Sequence, residues 1–69
     1  MKHYIINRNT DENDFNEVHT TECVHKPYSS NQVDIGLHID EIDAVNYAKS
    51  IGWHNADGCK YCCPKAHKG

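Results

Sequence analysis

The sequence is built around the stretch GCKYCCP, residues 58–64. This stretch holds three of the four cysteines, as the C-x-x-C pair Cys59 and Cys62 followed directly by Cys63. Two intervening residues let both thiolates of such a pair reach one ion. A redox dithiol of the thioredoxin type would follow a strand in a βαβ unit, and no such unit is visible here. The pair therefore predicts half of a metal site.

The remaining cysteine, Cys23, lies far upstream and predicts a third ligand. His19 precedes it by four positions, and a histidine and a thiolate spaced in this way at the end of a strand can share one ion. His19 is the first choice for the fourth ligand, His67 the second and Cys63 the third. Cys63 and His67 lie at i and i+4 on one face of a possible helical turn. Thiolate and imidazole suit a tetrahedral, structural Zn²⁺.

The length of the chain favours the same interpretation. With 69 residues, of which 38% are hydrophobic, the chain forms one small domain with a modest core. Domains of this size usually add disulfides or a metal to their cores. A structural zinc contributes roughly 10–16 kcal/mol of apparent binding free energy to folding. We therefore expect a single zinc-stabilised domain over residues 1–69.

Three segments have the composition of strands, over residues 2–8, 15–20 and 33–39. The first is rich in aromatic and β-branched residues, and the third alternates apolar with polar side chains. A polar turn joins the first two, which predicts a hairpin. In the third, the alternation directs Val33, Ile35, Leu37 and Ile39 to one face.

A helix is predicted over residues 41–51. Asp40 can cap its first turn, and Gly52 suits the left-handed position after its end. The spacing of the apolar residues predicts a buried face, and Trp53 is expected in the core beyond it. That face comprises Ala44, Val45, Ala48 and Ile51.

The last segment before the cysteines, residues 55–58, has turn-forming composition and leads directly into Cys59. Such a turn allows backbone amides after the first cysteine to point at its sulfur. Pro64 can begin a short helical turn that ends near His67. The predicted fold class is thus α+β, a small antiparallel three-stranded sheet with one main helix, stabilised by zinc.

The charge of the chain argues against strong nucleic-acid affinity. The net charge is −3, without a basic block. No stretch approaches the ~20 apolar residues of a membrane span, and no signal peptide is visible. We therefore expect a cytoplasmic protein with no membrane contact, where cysteines more often bind metals than form disulfides.

Several segments together resemble the Ada-type zinc-binding domain, found at the N-terminus of the Ada DNA-repair methyltransferase. They are also similar to small H-x-x-x-C…C-x-x-C modules of bacterial proteins and to short bacterial proteins that end in G-C-x-x-C-C-P-x-x-H. The similarity covers about residues 15–67. The matching segments are VHTTEC at 18–23, Ile35-Gly36, the helix with Ala44 and Ala48, Gly52-Trp53, and CKYCCP at 59–64.

This resemblance implies an Ada-like mixed α/β fold whose zinc ligands are His19, Cys23, Cys59 and Cys62. In the repair protein the first ligand is a cysteine that accepts a methyl group from DNA, and here His19 takes its place. Imidazole cannot replace that thiolate as the nucleophile. The spacing from Cys23 to Cys59 is longer, and the basic character of the repair domain is missing. The resemblance therefore does not carry methyl transfer to this chain.

The expected function is a binding module without catalysis, whose partner is another, unidentified protein. The alternative is a nucleic-acid-binding module related to the Ada domain, with Trp53, Lys60, Tyr61 and Lys65 as contacts. A third hypothesis, an enzyme or redox protein that uses Cys63, ranks below both because it requires an exposed, activated thiol.

Overall fold

The fold is a four-stranded mixed sheet with one helix packed on it. The structure is a computed structural model and describes residues 1–69. In order along the chain, the elements are β1 Lys2–Asn7, β2 Asn16–Thr20, β3 Gln32–His38, helix α1 Glu41–Ser50 and β4 Ala56–Gly58. Two short 3₁₀ turns, Ser29–Asn31 and Pro64–Ala66, precede β3 and follow the last cysteine. The strand order across the sheet is β3-β1-β2-β4.

The predicted hairpin is confirmed. Strands β1 and β2 pair in antiparallel fashion, with Ile5 opposite His19. The buried Asn16 side chain closes the hairpin by donating to the carbonyl oxygens of Asn7 and Arg8, at 3.1 and 3.3 Å. In the connecting loop, Asp11 accepts from two backbone amides and stabilises the turn. The loop thereby fixes the register that places His19 on the sheet.

Strand β3 pairs with β1 as predicted, but its side chains do not alternate as predicted. A bulge opposite the Tyr4–Ile5 bond shifts the register, and Gly36 supplies the required positive φ of 85°. Ile35 is buried as expected, whereas Leu37 is 61% exposed. His38 points inward in its place and contacts Asp43 and the carbonyl oxygen of Ile35, at 3.0 and 2.7 Å. The prediction for Leu37 was wrong because an extra residue reverses the faces of a strand.

Ile39 departs from the prediction as well. It lies beyond the last residue of β3 and is 73% exposed. The end of the strand therefore contributes a buried histidine rather than two aliphatic side chains to the core.

The expected three-stranded antiparallel sheet is also incorrect, because a fourth strand runs parallel to β2. Strand β4 places Ala56, Asp57 and Gly58 opposite Asn16, Glu17 and Val18. Asp57 and Gly58 favour turns, and none of the three residues is one of the β-branched or aromatic types typical of strands. Hydrogen bonds to the edge of β2 prevail over this local preference, with Cys59 N donating to Val18 O at 2.9 Å. This pairing delivers the C-x-x-C segment to the end of the hairpin.

Helix α1 begins and ends at the residues that its capping signals indicate. The Asp40 carboxylate accepts from the amide of Asp43 at 2.8 Å. At the other end, Gly52 has a φ of 113°, and the amide of Trp53 donates to Ala48 O at 3.0 Å, as in a Schellman motif. Ile51 lies outside the helix and is 51% exposed, contrary to the prediction.

The core lies between α1 and the sheet and includes three cysteines. Ala44, Val45 and Ala48 of the helix pack against Tyr4, Ile6, Val18 and Ile35 of the sheet. Cys23, Cys59 and Cys63 belong to the same buried cluster, and Trp53 packs against it while remaining partly exposed. The cysteine-rich segments are therefore part of the folding core. No helix combines the length and the apolar character that crossing a membrane requires.

Replacement of Asp40 tests the helix cap. We expect Asp40→Ala to lower the free energy of unfolding by about 1 kcal/mol, because the first-turn amide of Asp43 loses its acceptor. Asp40→Asn retains an oxygen acceptor and serves as the matched control. Urea denaturation followed by circular dichroism measures both variants. Equal losses for the alanine and asparagine variants would contradict a capping role.

Candidate metal centre

Four side chains from three parts of the chain meet at one buried point. His19 lies near the end of β2, Cys23 in the turn that follows, and Cys59 and Cys62 after β4. Their potential ligand atoms all lie within 4.8 Å of one another. This is the set that the resemblance implied, and pairing of β4 with β2 brings its two halves together.

The spacing of these atoms fits a tetrahedral ion. Zinc–sulfur and zinc–nitrogen bonds of about 2.0–2.3 Å place neighbouring ligands roughly 3.5–3.8 Å apart. The Cys62 sulfur lies 4.0 Å from Nδ1 of His19. Side-chain movements of up to about 1 Å would therefore close the four donors around an ion. The donor set, three thiols and one imidazole, is of the type found in structural zinc sites.

Backbone amides surround the sulfurs in a pattern that favours thiolates. The amide of Thr20 donates to the Cys62 sulfur, that of His25 to Cys23, and that of Tyr61 to Cys59, each at 3.4 Å. Three thiolates carry more negative charge than a divalent ion neutralises, and the amide dipoles offset part of the excess. The last of these bonds is the one that the turn before Cys59 predicted.

His19 and Cys59 are the most enclosed of the four residues, each with 1% of its surface exposed. His19 is the one whose charge depends on this burial. Burial, with a smaller contribution from nearby His25, lowers the pKa of its imidazole, so the ring is neutral at neutral pH and its nitrogen can bind a metal. Nδ1 of His19 is the nitrogen near the Cys62 sulfur. The other ring nitrogen, Nε2, lies 3.5 Å from a carboxylate oxygen of Glu17. A carboxylate beside the second nitrogen is the usual way in which a metal-binding histidine is oriented.

Cys62 is the one partly exposed member of the cluster. Burial raises the pKa of its thiol, and the neighbouring thiols of Cys23 and Cys63 raise it further, although the Thr20 amide opposes them. The thiol therefore keeps its proton at neutral pH unless a cation replaces it. Metal binding at this cluster would release protons.

Cys63, one alternative ligand, lies beside the cluster but outside the four-atom set. Its sulfur is 3.6 Å from that of Cys62, and the residue is fully buried in the core. Burial raises the pKa of the Cys63 thiol to about 11, which keeps it protonated. These surroundings are those of a small apolar side chain rather than of an activated nucleophile.

His67, the other alternative ligand, has a different set of contacts. Its Nδ1 lies 3.0 Å from the carbonyl oxygen of Gly58 and 3.3 Å from the Asp57 carboxylate. The buried Asp57 also accepts from the amides of Lys68 and Gly69, at 2.9 and 3.2 Å. His67 and Asp57 thus hold the last residues against β4, and His67 has no place among the four donors.

The residues predicted to contact a partner or a nucleic acid do not line one common cavity. Lys60 and Tyr61 line a cavity of about 490 Å³ together with Asp11, Glu12 and Glu17. The Tyr61 ring is stacked on His25, with ring centroids 4.0 Å apart. Lys65 instead lines a separate groove beside α1. Trp53 lines neither cavity. The acidic walls around Lys60 and Tyr61 do not favour a phosphate backbone there.

Sequence reasoning missed two residues that support the site. Asp57 was assigned to a turn, yet its carboxylate organises the tail, and Glu17 was not singled out although it lies beside His19. Glu17 lies two positions before His19 in the same strand, so both side chains project from one face of it. This spacing is a weak signal that could have identified Glu17. No sequence signal indicated Asp57, because its role depends on where the tail folds back.

Comparisons with protein-family models, with curated proteins and with solved structures found no match to this chain.

Gly58 provides a test of how tightly the site is packed. A Cβ atom at this position would lie 2.6 Å from Cys63 O and 2.8 Å from the Cβ atom of Ala66. We expect Gly58→Ala to lower the free energy of unfolding by about 1–3 kcal/mol. It should also weaken any metal binding by the cluster, because relief of the overlap moves the segment that carries Cys59 and Cys62. Denaturation curves and a metal competition assay measure the two effects.

Gly52→Ala is the matched control for this test. A Cβ atom at Gly52 meets nothing within 4 Å, and only its backbone φ of 113° opposes the change. We expect the free energy of unfolding to fall by roughly 1–2 kcal/mol with unchanged metal affinity. A Gly58→Ala protein that binds metal as tightly as the Gly52→Ala protein would contradict the tight packing at Gly58.

Proposed function

We propose that this chain is a zinc-stabilised module that binds another protein and has no catalytic activity. The observation that carries the proposal is the convergence of His19, Cys23, Cys59 and Cys62, whose ligand atoms lie within 4.8 Å of one another. A Zn²⁺ ion held there would join the hairpin to the C-terminal segment. The chemistry that the ion supplies in this role is cross-linking of the chain.

The size of the core supports a structural role for the ion. Only 18 of the 69 residues are buried, and two of the four ligands, Cys23 and Cys59, belong to the apolar cluster itself. Zinc binding at such a site adds roughly 10–16 kcal/mol of apparent free energy to folding. That amount is comparable with the whole stability of an ordinary domain.

The number of donors supports a non-catalytic role. A catalytic zinc usually has three protein ligands and leaves the fourth position for water or substrate. Here four donors surround one point, and three of them are nine-tenths or more buried. A tetrahedral ion bound by all four has no position left for a reacting molecule.

The proposal also covers the relationship of this chain to Ada-type domains and the cellular compartment in which it works. The positions of the four donors support a distant relationship to Ada-type zinc domains of bacteria, with His19 in place of the reactive cysteine. A site of three thiolates also favours a reducing compartment such as the cytoplasm, where cysteines remain free for a metal. A crystal structure superimposed on an Ada-type domain tests the kinship, and a different strand order would contradict it.

Removal of the metal tests the central proposal. The purified protein is expected to contain a single zinc ion per chain by elemental analysis. A strong chelator should abolish the dispersed amide signals of its NMR spectrum, because the core cysteines lose their cross-link. Returning zinc should restore them. A metal-free chain that keeps its folded spectrum would contradict the structural role.

Ligand identity is tested by single substitutions in the cobalt-substituted protein, whose absorption bands report sulfur coordination. Substitutions of residues that only hydrogen-bond to a metal ligand typically weaken metal binding roughly 10–100-fold. Cys23→Ser removes a ligand itself and should weaken metal binding by more than this. Cys63→Ala is the matched control and should keep the bands, because the Cys63 sulfur lies outside the four-atom set. Loss of the bands in Cys63→Ala, with retention in His19→Ala, would overturn the assigned set.

A further inference from the structure

A groove between α1 and the C-terminal segment has an apolar floor and a basic rim. Its volume is about 260 Å³. It is lined by the apolar Ile42, Val45 and Ala66, by the basic Lys49, Lys65 and Lys68, and by the polar Asn46 and the acidic Asp57. Val45 and Ala66 are 6% exposed and form part of the core, whereas Ile42 is 47% exposed. The groove thus offers an aliphatic surface next to three cationic side chains.

The two walls of the groove are held together by backbone hydrogen bonds to carboxylates. The Glu41 carboxylate at the start of α1 accepts from the amide of Lys65 at 2.7 Å. The buried Asp57 accepts from the amide of Lys68 at 2.9 Å. These bonds fix the two tail lysines next to Lys49, near the end of the helix. The groove is therefore built by the same segment that the metal centre anchors.

The ammonium groups of this rim are free to meet a partner. All four close contacts between carboxylates and basic side chains involve histidines, and none involves a lysine. Asp57 also lines the groove, but its carboxylate is buried and already accepts from the amides of Lys68 and Gly69. The lining therefore holds three exposed lysines and one buried acid, so that positive charge predominates there in a chain with a net charge of −3. Such a patch attracts acidic partners and repels basic ones.

We propose that this groove binds an acidic peptide segment of a partner protein, with an aliphatic side chain on the floor and carboxylates at the lysine rim. The inference rests on the proposed function, since it names the surface and the partner chemistry of the same module. The apolar floor and the unpaired lysines support it independently of the metal centre. Charge complementarity selects the partner, and the floor adds affinity through burial of apolar area.

The composition of the groove favours a peptide over a nucleic acid. No aromatic side chain lines it, so unpaired bases have no surface on which to stack. Its cations are lysines alone, without the arginines that bind phosphates in bidentate fashion. The cavity around Lys60 and Tyr61 is lined by three acidic residues, Asp11, Glu12 and Glu17, which would repel an extended phosphate backbone.

The test uses a fluorescein-labelled peptide in which two leucines are flanked by runs of glutamate. Fluorescence anisotropy follows its binding to the full chain, and amide chemical shifts locate the bound peptide. We expect shifts confined to α1, Asp57 and residues 64–68, and binding that weakens as the salt concentration rises. A peptide with serines in place of the leucines should bind more weakly, because it leaves the apolar floor uncovered.

Charge reversal on the rim provides the decisive comparison. The double variant Lys49→Glu/Lys65→Glu should weaken peptide binding at least about tenfold. Lys2→Glu, at an exposed lysine outside the groove, should not weaken it appreciably. Lys49→Ala is a second variant that preserves helix propensity and keeps the test valid should the double variant fold poorly.

The peptide titrations test the groove, and the zinc content of the purified protein separately tests the metal centre. Equal peptide binding by Lys49→Ala, Lys49→Glu/Lys65→Glu and the unaltered protein would overturn the groove assignment, as would no binding by a folded, zinc-loaded chain. A single-stranded DNA that binds more tightly than the peptide, through the same lysines, would also overturn it in favour of a nucleic-acid site. The titrations are run whatever the metal content, so a folded chain without zinc would overturn only the metal centre.

Discussion

The structure depends on one long-range contact between two segments of the chain. This contact is the cluster of His19, Cys23, Cys59 and Cys62. The first two residues come from the hairpin and the turn after it, and the last two come from the segment beyond the helix. Three sulfurs each receive a backbone amide hydrogen at 3.4 Å. Backbone amides of both halves of the chain therefore contact these sulfurs, and the cluster is a point at which the two halves meet.

The parallel pairing of β2 with β4 follows from the same constraint. A three-residue strand gains few hydrogen bonds, and bringing β4 back to β2 across the intervening β3 and α1 costs conformational entropy. Additional contacts at the end of β4 offset that cost. Cys59 continues directly from the strand into the cluster, and Asp57 ties the following segment back to it. A short strand of turn-forming residues can persist in the sheet because its neighbours fix it at both ends.

Local patterns predicted the parts of the fold that depend on neighbouring residues. The hairpin and the capped helix are confirmed because capping and strand composition act over a few positions. The proximity of the four predicted ligands is confirmed as well, although it joins distant parts of the chain, because the chemistry of a shared site and not a local pattern indicated it. The fourth strand was missed because its residues acquire extended structure only by pairing with a distant edge. The exposure of Leu37 was missed because a single bulged residue reverses the two faces of β3. Recognition of Asp57 required knowledge of where the tail returns, which no local pattern provides.

The bulge at Gly36 also bears on how molecules of this protein behave next to one another. Strands β3 and β4 form the two edges of the sheet, and an unprotected edge can recruit strands from other chains. On one side the bulge interrupts the regular row of amides and carbonyls and increases the local twist. On the other side the edge is only three residues long. Neither border offers a long, flat template for intermolecular β-pairing, so the features that shape the core also protect the protein against aggregation.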